Sequence, residues 1–185
     1  RFRRSSRGAQ RFDLLLEQGE TFAPIFELSR SGPWTEFISS AIGKDWICDI
    51  SVIYSRPGAD DQDWHSDGPH LIVSSQKNLP SSASSPYAFC VFLALIDLDE
   101  LVGFTQFWPG SHREAGLAGF GSAAPVLGCA VDGIVGAGGA VVYDYRLLHR
   151  GMANKSQGTQ REILQFFYHV PEYVERKNYG CTALF

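Results

Sequence analysis

The chain has 185 residues, 44% hydrophobic and 13% aromatic against 19% charged, which excludes a disordered polymer and suits one domain with an aromatic-rich core. No apolar run is long enough to cross a membrane as a helix. The formal charge of −4 becomes more negative once the five arginines of residues 1–11 are set aside, so the body of the chain would repel a phosphate backbone and nucleic acid is not an expected partner.

Taken in chain order, residues 1–11 read as a basic N-terminal arm, either solvated or the end of an Arg- and Ser-rich import sequence. Residues 12–185 read as a single domain. Met152 is the only methionine, so the chain is expected to be a part or a processed form of a longer product. Residues 12–30 carry no clear pattern. A short helix is predicted over 33–42, with Ser31 or Gly32 as its cap, Pro33 in its first turn and Gly43 at its end. Runs rich in β-branched and aromatic residues then predict strands at 47–56, 87–98, 103–108, 139–145 and 161–170, separated by glycine- and proline-bearing turns. Several short strands with little helix indicate a mainly β sandwich or barrel with helices outside. Residues 74–86, with six serines and two prolines, cannot pack a core and predict a flexible lid loop. Cys48, Cys90, Cys129 and Cys181 form no C-x-x-C pair. Reduced, buried thiols in a soluble intracellular protein are therefore expected.

Residues 63–71, DWHSDGPHL, place Asp63, His65 and Asp67 on one side of an extended segment, because side chains at i and i+2 of a strand point the same way. An imidazole and a carboxylate two residues apart can be adjacent ligands of one ion. A second histidine from a distant strand would complete the two-histidine, one-carboxylate set of non-haem Fe(II) oxygenases. Alone, H-x-D is a weak motif and reads better as a surface histidine beside an acid. The second half of the chain supplies the partners: His149 at the end of a glycine-led strand, and Arg161 twelve residues later, whose planar fork suits the distal carboxylate of a 2-oxo acid.

The order H-x-D at 65–67, GFTQFWPGSHR at 103–113 and LLHRG at 147–151, followed by Arg161, resembles the phytanoyl-CoA dioxygenase-like branch of the Fe(II)/2-oxoglutarate-dependent oxygenases, over about residues 49–168. The resemblance implies a mainly β fold, a double-stranded β-helix (jelly roll, cupin-like) with a few flanking helices. It implies Fe(II) on His65, Asp67 and His149, and 2-oxoglutarate held by Arg161, with O2 as the second cosubstrate. The reaction implied is hydroxylation of a C–H bond with release of succinate and CO2. Asp67 is thereby selected over Asp63, which strand parity leaves open, and its carboxylate argues against halogenation, since halogenating relatives have a small residue there.

Cys90 and Phe92 fall where relatives contact the cosubstrate, although small polar or tryptophan residues are usual there. Gly151 stands where some relatives have serine. Ser51, Tyr54 and Arg56 are offered to the pocket wall, with the inward-facing ones undecided. A small-molecule substrate is expected first and a protein side chain second. A local basic pocket from Arg56, Arg113, Arg146 or Arg150 would admit an anionic one. His112 is expected to be structural, His70 to lie in the lid near substrate, His169 to be peripheral, and Trp64 and Trp108 to serve the core. Two rivals remain: a zinc or manganese cupin-like enzyme, which leaves Arg161 without a purpose, and a non-catalytic jelly-roll binding protein.

Overall fold

A computed structural model describes residues 8–70 and 85–175. Residues 1–7 of the expected arm and nearly all of the expected lid lie outside the described residues.

Among the described residues, eight strands form two sheets. The larger comprises β1 (Arg11–Leu15), β2 (Ile47–Ser55), β3 (Ala88–Ala94), β6 (Ala140–Asp144) and β8 (Arg161–His169), in the order β1-β2-β8-β3-β6 with every neighbour antiparallel. The smaller comprises β4 (Thr105–Phe107), β5 (Val131–Asp132) and β7 (His149–Gly151), in the order β5-β4-β7. The five strands predicted at 47–56, 87–98, 103–108, 139–145 and 161–170 are β2, β3, β4, β6 and β8. β1 and the two- and three-residue strands β5 and β7 carry too short a pattern to be read from sequence.

Parity along β8 divides the molecule into layers. Ile163 and Phe167 face inward and pack with Ile53, Cys90, Phe92, Phe104, Phe107, Tyr143 and Tyr145, residues drawn from both sheets and their connections. Leu164, Phe166 and Tyr168 face outward, against Trp34, Ile38, Ile50, Phe89 and Val91. This nearly continuous apolar run is what a strand covered on both faces requires. The cover is α1 (Ala23–Ser31) and α2 (Thr35–Ile42). The sequence left α1 unread, and α2 begins two residues later than predicted, because Gly32 terminates α1 and Trp34 occupies the N-cap of α2. Trp34 Nε1 donates to the Tyr168 hydroxyl (2.8 Å), which donates to the Ser29 carbonyl (2.6 Å). Each such buried bond contributes about 1 kcal/mol net and avoids a larger desolvation cost. The architecture is the double-stranded β-helix that the family resemblance implies, two sheets around a shared interior with helices on one outer face.

Candidate metal centre and the buried arginine

A mutual backbone pairing between distant segments places the two histidines. The His65 N–H donates to the His149 carbonyl (3.0 Å) and the His149 N–H to the His65 carbonyl (2.8 Å), a doubly bonded antiparallel pair that sets both side chains on one face. The imidazole centroids are 4.5 Å apart. Each ring is oriented by a carbonyl two residues upstream, His65 Nδ1 by Asp63 (2.7 Å) and His149 Nδ1 by Leu147 (2.9 Å). A carbonyl only accepts, so both Nδ1 atoms carry a hydrogen, which leaves each Nε2 as the ring atom a metal ion would take. Those atoms meet the Asp67 carboxylate: His149 Nε2 is 3.4 Å from Oδ2 and His65 Nε2 is 3.9 Å from Oδ1. One donor atom from each of the three residues lies within 4.8 Å of the others.

Burial is uneven across the set. The side chains of His149 and Asp67 are 3% and 2% exposed, whereas that of His65 is 28% exposed, so solvent reaches the centre beside His65. Two imidazole nitrogens and a carboxylate form a donor set that fits Fe(II), and equally zinc or manganese. The Tyr143 hydroxyl approaches Asp67 Oδ2 (3.3 Å) and its ring lies 5.0 Å from that of His149, a support the sequence did not single out. Gly68 is required directly after the acid, since a Cβ there would lie 2.2 Å from the Tyr87 hydroxyl and 2.5 Å from the Tyr145 ring. Asp63 stays exposed and contributes its carbonyl, while Asp61 accepts the Ala153 N–H (2.7 Å).

Arg161 opens β8 and is 3% exposed. Its Nη1 donates to the carbonyls of Met152 (3.0 Å) and Phe104 (3.4 Å), its Nη2 to Ser55 Oγ (2.9 Å). All three acceptors are neutral oxygens. Burial, and secondarily the charge of Arg11, push this guanidinium down to about 9, leaving it a cation at neutral pH. Gly103, at φ +84°, lets the chain pass where a Cβ would lie 2.6 Å from Arg161 Nη1. Ser51 lies inside the same face of β2, fully buried, and its Oγ has no hydrogen-bond partner among the described residues. A buried cation held only by neutral groups and an orphaned buried hydroxyl fit a ligand that brings its own anionic acceptors. Cys90 and Phe92 also face inward, near Gln165, whose Nε2 lies 3.7 Å from Cys90 Sγ. Tyr54 faces outward and stacks on Phe12, and Arg56 covers that Phe12 ring.

Several expectations are corrected. Arg11, assigned to the arm, is 3% exposed and begins β1, because its guanidinium reaches three main-chain carbonyls, those of Asp60, Gly151 (3.3 Å) and Met152 (2.8 Å). His169 is buried rather than peripheral, with its ring 5.0 Å from Phe167 and its Nε2 3.7 Å from Asp49. His70 hydrogen-bonds the Ser111 carbonyl (3.1 Å). Of the suggested basic pocket, Arg146 is tied to Asp144 (2.7 Å) and Arg150 to Gln106 (3.0 Å) over the Trp64 ring, so neither guanidinium is aimed at the centre. Trp108 packs in a small separate cluster with Ala124 and Leu148, and Trp64 lies against it. Cys129 is exposed, while Cys90 is buried and burial pushes the half-buried Cys48 thiol up to about 12.

A family model described as Phytanoyl-CoA dioxygenase (PhyH) matches residues 28–162. The chain is 32% identical over 125 residues to Dioxygenase hkm4 of Aspergillus hancockii, covering 68% of this chain and 38% of that protein. It is 31% identical over 114 residues to Dioxygenase easH of Epichloe festucae var. lolii, covering 62% and 57%. The chain thus spans less than two thirds of the length of either curated relative. Among solved structures, the epimerase SnoN in complex with Fe3+, alpha ketoglutarate and nogalamycin RO superposes with a TM-score of 0.64 at 16% identity, covering 99% of this chain and 76% of that one, a likeness of fold.

Proposed function

Because this chain belongs to the phytanoyl-CoA dioxygenase family, we propose that it is an Fe(II)- and 2-oxoglutarate-dependent dioxygenase that hydroxylates a C–H bond of a small molecule. The observation that carries this reading is the convergence of His65 Nε2, His149 Nε2 and the Asp67 carboxylate, within 4.8 Å of one another and with both imidazoles oriented by backbone carbonyls. These three residues hold the metal, and Arg161 pairs with the distal carboxylate of 2-oxoglutarate. Iron held there would supply the activation of O2 against 2-oxoglutarate, with succinate, CO2 and a hydroxylated substrate as the products.

The protein's own contribution is orientation and exclusion of water. Tyr143 and the two upstream carbonyls keep the ligand atoms aimed at one point before metal arrives, so no reorganisation is spent on binding. The aromatic interior formed by Phe92, Phe104, Phe107 and Tyr143 keeps bulk water from the inner side of the centre, away from the opening beside His65. Ser51 and Cys90 line the cosubstrate's side of that interior with Phe92. A small-molecule substrate accords with the nogalamycin RO bound by SnoN and with the commitment of Arg146 to Asp144 and of Arg150 to Gln106.

Anaerobic addition of Fe(II) and 2-oxoglutarate should produce a visible metal-to-ligand charge-transfer band. Asp67→Ala should abolish it and Arg161→Ala should weaken it, whereas Asp63→Ala should leave it intact. Loss of the band in Asp63→Ala with retention in Asp67→Ala would overturn the ligand assignment.

A further inference from the structure

Arg161 is one member of a row that crosses three strands. Arg11 on β1 pairs with Ser55 on β2, and Ser55 pairs with Arg161 on β8. Directly opposed residues of antiparallel strands share a face, so the three side chains enter the interior side by side. They are 3%, 0% and 3% exposed. The row is closed at its far side by one oxygen, the Met152 carbonyl, which accepts from Arg11 Nη2 (2.8 Å) and from Arg161 Nη1 (3.0 Å). Ser55 Oγ accepts from Arg161 Nη2 within the row.

Beside Arg11 a glycine makes room for Gln62. A Cβ on Gly151 would lie 2.5 Å from Gln62 Oε1, and only at contact distance, 3.5 Å, from Arg11 Nε. Gln62 Oε1 in turn accepts the Gly151 N–H (3.0 Å).

We propose that Arg11 is a positioning residue of the 2-oxoglutarate subsite: through the shared Met152 carbonyl and the Ser55 row it fixes the Arg161 fork and adds a second buried positive charge, so that the subsite selects a dicarboxylate over a monocarboxylate. The inference rests on the proposed function and extends it to a residue outside the stretch matched by the family model, 28–162. Two buried guanidiniums repel one another, and that repulsion is relieved when a distal carboxylate arrives, so the free site is primed for an anion. The weakened proton affinity of Arg161, to which Arg11 contributes, is in keeping with this. A ligand lacking the distal carboxylate gains nothing from the pair.

The test compares two probes on the Fe(II)-loaded protein under anaerobic conditions, 2-oxoglutarate and 2-oxopentanoate, each titrated by its charge-transfer band. Arg11→Met should weaken 2-oxoglutarate by about tenfold, the scale of one charge-assisted contact, and leave 2-oxopentanoate within about twofold. Equal weakening of both would mean that Arg11 supports the fold alone and would overturn the proposal. Should Arg11→Met not fold, Arg11→Lys carries the same measurement, since lysine keeps a charge but cannot reach three carbonyls with a planar fork. The preference for 2-oxoglutarate should then fall severalfold, and an unchanged preference would overturn the proposal. A wild-type protein that gives no band with 2-oxoglutarate removes the proposed function and this inference with it, whereas a normal band with an unchanged ratio removes the inference alone.

Discussion

The two polar ends of the interior solve the problem of burying charge in opposite ways. At the metal-binding end, each histidine is oriented by a carbonyl two residues away in its own segment, and the carboxylate lies two residues beyond His65. At the arginine end, Arg161 is held by Ser55, Phe104 and Met152, and Arg11 by Asp60, Gly151 and Met152, partners that stand between 9 and 141 residues away. The first end is a pair of local devices joined by one backbone bridge. The second exists only once four segments have closed on each other. Local devices tolerate change elsewhere in the chain, and assembled ones fail when any contributing segment moves.

That contrast can be broken at the metal end first. His149→Ala removes a ligand and leaves the 2% exposed Asp67 carboxylate facing a cavity, so Fe(II) binding measured by equilibrium dialysis should fall by at least about a hundredfold, the order reported for loss of groups even beyond the ligands themselves. Binding retained within tenfold would mean that the centre does not depend on this set.

A smaller effect is expected from pH at the other end. Arg161 in the folded chain loses its proton as pH rises through about 9, well below the ordinary arginine range, because burial disfavours its charge. Only the cation attracts a carboxylate, so 2-oxoglutarate affinity should decline above pH 9 by up to about tenfold per pH unit. Stability has the opposite sign. From about 9 up to the ordinary arginine range the unfolded chain binds the extra proton, so the cost of burying this cation is fully present below 9 and fades as pH rises across that window. Calorimetry of 2-oxoglutarate binding from pH 7.5 to 10, with the metal held constant, checks the first statement.

The smallest change sharpens the distinction. Asn154 is 1% exposed; its Nδ2 donates to the carbonyls of Ser55 (2.9 Å) and Thr159 (2.9 Å), and its Oδ1 accepts from the backbone N–H (3.1 Å) and hydroxyl (2.6 Å) of Ser156. It ties the end of β2 to the approach to β8. Asn154→Ala should lower unfolding free energy by about 2 kcal/mol, the cost of stranding buried polar partners, and weaken 2-oxoglutarate while leaving Fe(II) binding unchanged. Equal loss at both ends would show that they are one cooperative unit, and denaturant titration with dialysis distinguishes the two.

How much could be read in advance follows the same division. The strands β2, β3, β4, β6 and β8 were legible because each has a run of β-branched and aromatic residues bounded by turn residues. α1 was not, since Ala23–Ser31 mixes apolar and polar residues with Pro24 near its start. The pair His65 and Asp67 was legible because strand parity acts over two residues, though parity alone could not prefer Asp67 to Asp63. Tyr143 carried no signal beyond a period-two position on β6, and Arg11 sat among four other arginines that made it look like part of a solvated tail.

By itself the sequence determined the strand pattern, the H-x-D segment, the later histidine and the arginine that follows it, all features set by chemistry within a few residues or by an order along the chain. Tertiary structure alone decided that Ser51 points inward with its hydroxyl unpartnered among the described residues, and that Arg11 stands in one row with Ser55 and Arg161. The physical reason is range. Side-chain direction along a strand is fixed by local backbone geometry, whereas which buried polar groups share an oxygen depends on how segments far apart in the chain come to rest.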